Sequence, residues 1–244
     1  MNLLLLSNSR GPDGAYLTHA LDAVKELLDT ADAARTTGTE PKRAIFIPFA
    51  GVTMTWASYT ESVAAALAPA GLDVIDIDTV GDVAAQHAAV RSADAIIVGG
   101  GNTFQLLGTC RARGLLEVIA ETVRAGTPYI GWSAGANLAC PTISTTNDMP
   151  IVDPRGFSAL DLINFQINPH YTNATPEGHR GETRNQRIAE FLVANPHSWV
   201  LGLPEGDWLR VRGTDVTLHG PFEAIRFLPG QEPVAIAAGA VSAF

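Results

Sequence analysis

Five short runs in the first half of the chain are apolar with little polar alternation: Leu3–Leu6, Ala44–Phe49, Val74–Ile77, Ala95–Val98 and Tyr129–Gly131. A strand with one wet face alternates apolar and polar residues, whereas an uninterrupted apolar run must be covered on both faces. The intervening segments Leu17–Leu28, Tyr59–Leu67, Val83–Val90, Thr103–Gly114 and Leu116–Arg124 carry apolar residues at helical spacing and can supply that cover. Strand–helix alternation of this kind predicts an α/β fold, an open, mostly parallel sheet with helices on both faces.

Beyond Ser133 the pattern changes. "LINFQINPH" predicts a strand stopped by Pro169, and "SWVLGLPEG" another stopped by Pro204. The tail from Asp207 reads as β-hairpins, with turns near Gly213–Asp215 and Pro229–Gly230. Thr30–Arg43 is polar without periodicity and is expected to be an exposed loop. There is no internal repeat or composition break, so one domain over residues 1–244 is expected.

Composition narrows the function. With 46% apolar and 17% charged residues the chain is expected to be compact rather than disordered. A net charge of −9 argues against a nucleic-acid partner, which would require a basic face. The two cysteines, Cys110 and Cys140, both fall in segments read as helical, so a disulfide framework is not expected and a reducing compartment is. The opening "MNLLLLSNS" lacks a basic n-region and is too short for a signal peptide or membrane span. It reads as a buried first strand, with no membrane partner and a cytoplasmic location expected. Monomer and homodimer stay equally open.

The chemistry centres on Gly131-Trp132-Ser133-Ala134-Gly135, a G-x-S-x-G motif after a strand and before a short helical pattern. That is the setting of a nucleophile elbow, in which glycines allow a tight turn and the next N–H can receive an oxyanion. The competing reading, that Ser133 is the N-cap of a helix Ala134–Ala139, weighs about equally on the motif alone. Among six histidines, His19, His87 and His197 lie in or beside predicted helices, His179 in a polar loop and His219 in a hairpin. His170 differs, lying just past a strand, where open α/β sheets bind ligands. A serine–histidine pair needs an orienting carboxylate, and both Asp148 and Glu205 qualify; Glu205 directly follows a strand.

"IIVGGGNTF" places Gly99, Gly100 and Gly101 after another strand, but Phe104 stands where a dinucleotide fingerprint needs its third glycine. A second oxyanion-donor loop fits better, with Asn102 adding an amide at its rim. Thr183-x-x-Gln186 is a capping box, which makes Thr183 an N-cap and puts Arg184 in the first helical turn. A cation there opposes the helix dipole, and a residue that breaks a local rule is a candidate for function. A guanidinium at a helix N-terminus suits a carboxylate ligand. The bland alternative is an exposed arginine paired with Glu182 or Glu177.

The segments "LLLLSNS", "IFIPFAGVT", "IIVGGGNTFQLL", "YIGWSAGANLACPTI", "TTNDMPIVDP", "INPHYTNA", "PEGHRGETR" and "GLPEGDWL" together resemble the peptidase E family, the α-aspartyl dipeptidases, over nearly the whole chain. The resemblance implies a serine peptidase on a class I glutamine-amidotransferase-like α/β fold with C-terminal β-hairpins. It implies small Asp-X peptide substrates and no metal or other cofactor. It assigns Ser133 as nucleophile and His170 as base, with Asp148 and Glu205 both in matching segments for the third position. It also implies an oxyanion hole from the N–H groups of Gly101 and Ala134, and substrate contacts from Asn102 and Arg184. The competing classes are an α/β-hydrolase esterase using the same G-x-S-x-G and a non-catalytic relative that retains the elbow. A metal hydrolase is disfavoured because no H-E-x-x-H or cysteine pair occurs.

Overall fold

The computed structural model describes residues 1–32, 41–178 and 180–241. The five apolar runs become strands β1 (Asn2–Leu6), β2 (Lys42–Ile47), β3 (Leu72–Asp76), β4 (Ala95–Val98) and β5 (Tyr129–Trp132), all parallel, in the spatial order β1-β5-β4-β2-β3. The cover consists of α1 (Leu21–Asp32), α2 (Trp56–Leu67), α3 (Val83–Ser92), α4 (Thr103–Ala112) and α5 (Leu115–Arg124). Side chains along each strand point alternately to the two faces. Leu4, Leu6, Phe46, Ile97, Ile130 and Trp132 therefore pack with Val24 and Leu27 of α1 and Val63 and Leu67 of α2. Leu3, Leu5, Ile45, Ile96 and Tyr129 pack on the other side with Leu106 and Leu107 of α4 and Val118 and Ile119 of α5. Leu3, Leu4, Leu5 and Leu6 are all fully buried. At about 1.5–3 kcal/mol for each buried leucine, this is why the run carries no polar alternation.

The second half adds α6 (Ala134–Leu138), α7 (Arg184–Ala194) and strands β6 (Gln166–Pro169) and β7 (Val200–Leu203). The tail supplies β8 (Trp208–Arg212), β9 (Asp215–His219), β10 (Ala224–Phe227), β11 (Val234–Ile236) and β12 (Gly239–Val241). Strands β8, β9 and β12 extend the parallel sheet antiparallel from the free edge of β1, giving eight strands. β6 and β7 pair parallel to each other in a separate four-stranded sheet completed by β10 and β11. Phe165, Ile167, Leu201 and Leu203 bury this second sheet against the core of the first. Gly213 and Gly230 hold the positive φ of the expected hairpin turns.

Local expectations shift in three places. Leu17 has φ +58°, so a short 3-10 turn (Thr18–Ala20) precedes α1. α1 runs through to Asp32, which places Thr30 in the helix rather than in a loop. Lys42 and Arg43 open β2, and residues 33–40 of the expected loop lie outside the described residues. Cys140 sits just beyond α6 rather than inside a helix, where its sulfur accepts from the Ile167 N–H. Both cysteines are free and fully buried, and burial pushes their thiols up to about 12. Among the described residues no helix is long and apolar enough to cross a membrane.

Candidate active site

Two pairs of neighbouring strands deliver the key groups. Leu6 pairs with Trp132 in the main sheet, so Ser7 and Ser133 leave it side by side. Pro169 pairs with Leu203 in the second sheet, so His170 and the Pro204–Glu205 segment do the same. Parallel pairing puts both exits at carboxyl ends, where ligands gather in open α/β sheets.

The elbow at Ser133 requires its flanking glycines. A Cβ on Gly131 would stand 2.6 Å from the Gly135 carbonyl oxygen, and one on Gly135 would stand 2.2 Å from that of Val98. No side chain fits there, which lets α6 start directly on the strand. Ser133 itself has φ +53° and ψ −112°, a conformation costing about 1–3 kcal/mol for a residue with a Cβ. Its hydroxyl caps nothing, although Ser133 stands at the N-cap position of α6. Instead Oγ lies 2.8 Å from His170 Nε2.

His170 Nδ1 lies 2.6 Å from Glu205 Oε1. An ionised carboxylate only accepts, so in the neutral imidazole Nδ1 carries the proton and Nε2 is free to accept from the serine hydroxyl. His170 also has a positive φ, +52°. It is held by fully buried Ser7, whose Oγ accepts from the His170 N–H at 2.8 Å and donates to the Leu203 carbonyl at 2.7 Å. Asn8 continues the clamp, its Oδ1 accepting from the Gly206 N–H at 2.9 Å. One dipeptide thus ties β1 to the exits of β6 and β7. Sequence reasoning passed over Ser7 and Asn8; the signal was two polar residues immediately after a wholly buried strand.

Asp148 does not meet His170. Its Oδ2 accepts from the Thr103 N–H at 2.7 Å, from Thr103 Oγ1 at 2.5 Å and from Thr146 Oγ1 at 3.1 Å. An anion at the first turn of α4 complements the helix dipole, so this carboxylate pins the 146–148 loop to that helix. Of the two candidate carboxylates, Glu205 is the one in contact with the His170 imidazole. Asn102 is the N-cap of α4: Oδ1 accepts from the Gln105 N–H at 3.1 Å and Nδ2 donates to the Met149 carbonyl at 2.9 Å. The amide expected at the rim is thus partly engaged in holding its own loop.

The Gly99–Gly101 loop lies against the serine. A Cβ on Gly100 would stand 3.0 Å from Ser133 Cβ, and Gly101 has φ +135° with only 2.1 Å between its missing Cβ and the Ala50 carbonyl oxygen. On the other side, Ala134 is the first residue of α6, and its N–H has no partner within the helix.

Arg184 is the first residue of α7, directly after Thr183, and the full capping box is present. Its guanidinium is half-buried and donates to two amide oxygens, Asn147 Oδ1 and Asn168 Oδ1. Both amides are themselves held. Asn168 Nδ2 donates to the Thr145 carbonyl and Asn147 Oδ1, while Asn147 Nδ2 donates to the Pro169 carbonyl. Glu182, one of the two acidic partners considered for Arg184, lies 4.0 Å from Arg187. Among the described residues no carboxylate lies in ion-pair contact with Arg184. Burial, then repulsion from Arg187, lowers its pKa from the ordinary arginine value. Asn168, which holds this guanidinium, is in β6 two residues before His170. Asn147 and Asn168 were not singled out in sequence, because an amide that buttresses an arginine has no local signature.

Of the other histidines, His87 Nε2 meets the Arg113 carbonyl and His219 stacks on Trp208, while His179 lies outside the described residues. Among the described residues no cluster of three or more histidine, cysteine or acidic side chains is arranged to hold a metal.

Comparison with known proteins places this geometry in context. The family described as peptidase family S51 matches residues 3–219. Curated relatives called peptidase E from Shigella flexneri serotype 5b (strain 8401) and Escherichia coli (strain K12 / DH10B) are 56% and 55% identical over 239 residues, spanning 98% of this chain and 99% of theirs. Among solved structures, a candidate peptidase E from Listeria monocytogenes EGD-e superposes with a TM-score of 0.60 at 26% identity, over 90% of this chain and 98% of that one. A peptidase from an acI-B1 Actinobacterium superposes with a TM-score of 0.71 over 99% of this chain and 96% of that one; at 18% identity this likeness concerns the fold.

Proposed function

This chain belongs to peptidase family S51, and from that premise we propose that it is a serine-type dipeptidase that releases N-terminal aspartate from Asp-X through an acyl-enzyme. The observation that carries the reading is the continuous relay Ser133 Oγ–His170 Nε2 and His170 Nδ1–Glu205, together with an arginine that has no carboxylate in ion-pair contact among the described residues.

Ser133 Oγ attacks the peptide carbonyl as His170 Nε2 takes its proton. The N–H groups of Gly101 and Ala134 receive the oxyanion, where preorganised donors contribute most. His170 then protonates the leaving amine, and water hydrolyses the aspartyl ester with the same imidazole as base. Glu205 holds the ring in the productive tautomer. Arg184 takes the side-chain carboxylate of the substrate, and Asn102 lines the same end of the cleft. All three hydrogen bonds described for Asp148 fall on Oδ2, and we assign Oδ1 to the substrate ammonium.

Purified protein assayed on Asp-Leu, Glu-Leu, Asn-Leu and isoaspartyl-leucine tests reaction and selectivity together. Asp-Leu is expected to exceed Asn-Leu in kcat/KM by at least about 100-fold, since a site built for a charged partner rejects an analogue that leaves it unpaired. Glu-Leu and isoaspartyl-leucine keep a carboxylate but displace it relative to the scissile carbonyl, and are expected to be slower than Asp-Leu. Equal turnover of Asn-Leu and Asp-Leu would eliminate anion selection.

The two carboxylates separate by kinetics. Glu205 is 63% exposed, so water can partly replace it; Glu205→Gln is expected to lower kcat by about 10–100-fold, less than for a buried triad acid. Asp148→Asn is expected to raise KM and lower the melting temperature, with a smaller change in kcat. A larger loss of kcat in Asp148→Asn than in Glu205→Gln would reverse the assignment.

A further inference from the structure

Beneath the glycine loop lies a polar chain that the proposed chemistry does not yet use. The Tyr59 hydroxyl, on the buried side of α2, donates to the Gly100 carbonyl at 3.0 Å and accepts from Trp132 Nε1 at 3.1 Å. Tyr16 adds a longer contact to the same oxygen at 3.4 Å. Phe46 packs edge-on against the Tyr59 ring, with centroids 5.0 Å apart. Such a hydroxyl has one position and one orientation.

Its acceptor matters because of covalent geometry. The Gly100 carbonyl and the Gly101 N–H belong to one peptide group. In a trans peptide the two bonds point in opposite directions across a rigid plane. Whatever fixes the carbonyl therefore aims the N–H. Glycines on both sides leave this plane unusually free to rotate, and the backbone alone would not hold it. The Gly101 φ of +135° and the close approach to Ala50 locate the loop, while the Tyr59 hydroxyl supplies a directional restraint on the plane itself. Trp132 immediately precedes Ser133, so the same hydroxyl also ties the glycine loop to the nucleophile's own strand.

We propose that Tyr59 is a positioning residue for oxyanion stabilisation: by anchoring the Gly100 carbonyl it turns the Gly101 N–H toward the reacting carbonyl at a fixed distance from Ser133. This rests on the serine-peptidase reading above. Hydrogen bonding at the carbonyl also polarises the peptide and strengthens its N–H as a donor, in the sense of hydrogen-bond cooperativity. Burial raises the Tyr59 phenol above its ordinary value, so the hydroxyl keeps the proton it donates.

The test is Tyr59→Phe, which keeps the ring and removes the oxygen. Losing an oxyanion donor outright costs on the order of 100–1,000-fold in kcat; losing only its alignment is expected to cost about 10–100-fold. KM for Asp-Leu is expected to stay within about threefold, because the restraint acts on the tetrahedral state. An aspartyl aldehyde, which forms a tetrahedral adduct with a serine, should bind more weakly by the same factor as kcat falls. Inhibition by free aspartate should not change. A merely structural role would shift melting temperature and both ligands alike. Gly99→Ala is a second route to the same loss, because its Cβ would stand 2.6 Å from the Tyr59 hydroxyl and displace it. Tyr16→Phe, which leaves the bond to Gly100 in place, is expected to retain near-full kcat. Either Tyr59→Phe or Gly99→Ala, folded and with unchanged kcat and aldehyde affinity, overturns the proposal. Failure of both to fold while Tyr16→Phe folds would also overturn it, making Tyr59 a stability residue. If Ser133→Ala is inactive while Tyr59→Phe is not impaired, the peptidase reading stands and only the positioning role falls.

Discussion

Replacing Ser133 with alanine is expected to lower kcat on Asp-Leu by at least about 10⁴-fold while leaving the fold intact. Removing a nucleophile from a serine–histidine unit eliminates the covalent route, and what survives comes from the oxyanion site and binding alone. Stability should hardly change. The substitution removes one hydrogen bond, to His170, with a net value of about 1 kcal/mol, which is a few degrees in a chain of this size. Alanine also inherits the positive φ of residue 133, so no strain is relieved. Ser133→Gly separates the two effects: it relieves that strain and should melt at or above the wild-type temperature, yet be equally inactive. Product release measured by chromatography, with melting followed by circular dichroism, reads both quantities. Residual turnover within about tenfold of wild type in either variant would remove the serine mechanism.

Arg184→Ala is expected to reduce kcat/KM for Asp-Leu by roughly 100–1,000-fold and to bring it close to the value for Asn-Leu. The size follows from a partly buried ion pair formed only with the charged substrate, worth several kcal/mol in such sites. Arg184→Lys should rescue little, because a point charge does not reproduce the planar fork that meets a carboxylate while contacting Asn147 and Asn168. Stability is expected to fall by about 1–2 kcal/mol, because the lost hydrogen bonds to Asn147 and to buried Asn168 outweigh the few tenths of a kcal/mol gained by removing a cation from the first turn of α7. Unchanged preference for Asp-Leu over Asn-Leu in Arg184→Ala would end its role as selector.

Much of this was legible locally. The leucines of β1 had no polar alternation because both faces of that strand are buried, and nothing beyond the strand was needed to see it. Thr183 and Gln186 marked the start of α7 because a capping box is closed within three residues. Gly131 and Gly135 were readable as an elbow because the steric problem they solve, a helix starting on top of its own strand, is also local.

The site itself was only half legible. Ser133 and His170 could be named from their positions after strands, but the choice between Asp148 and Glu205 could not be made. Asp148 follows Ser133 closely in sequence yet is drawn to the N-terminus of α4, whereas Glu205 reaches His170 across 35 residues because β6 and β7 are neighbours in a second sheet. Strand alternation alone gives no reason to expect that second sheet. Ser7 was less visible still, holding His170 from 163 residues away.

Sequence by itself determined where most strands and helices lie, which turns require glycine, and which side chains are candidates for the chemistry. These follow from backbone sterics, capping and hydrophobic period, all of which act over a few residues. Tertiary structure alone decided which carboxylate meets the imidazole, that Arg184 faces amide oxygens rather than a carboxylate among the described residues, and that Tyr59 reaches the Gly100 carbonyl. Hydrogen bonds and charges act over a few ångströms of space, and only packing of the two sheets brings those groups within that range.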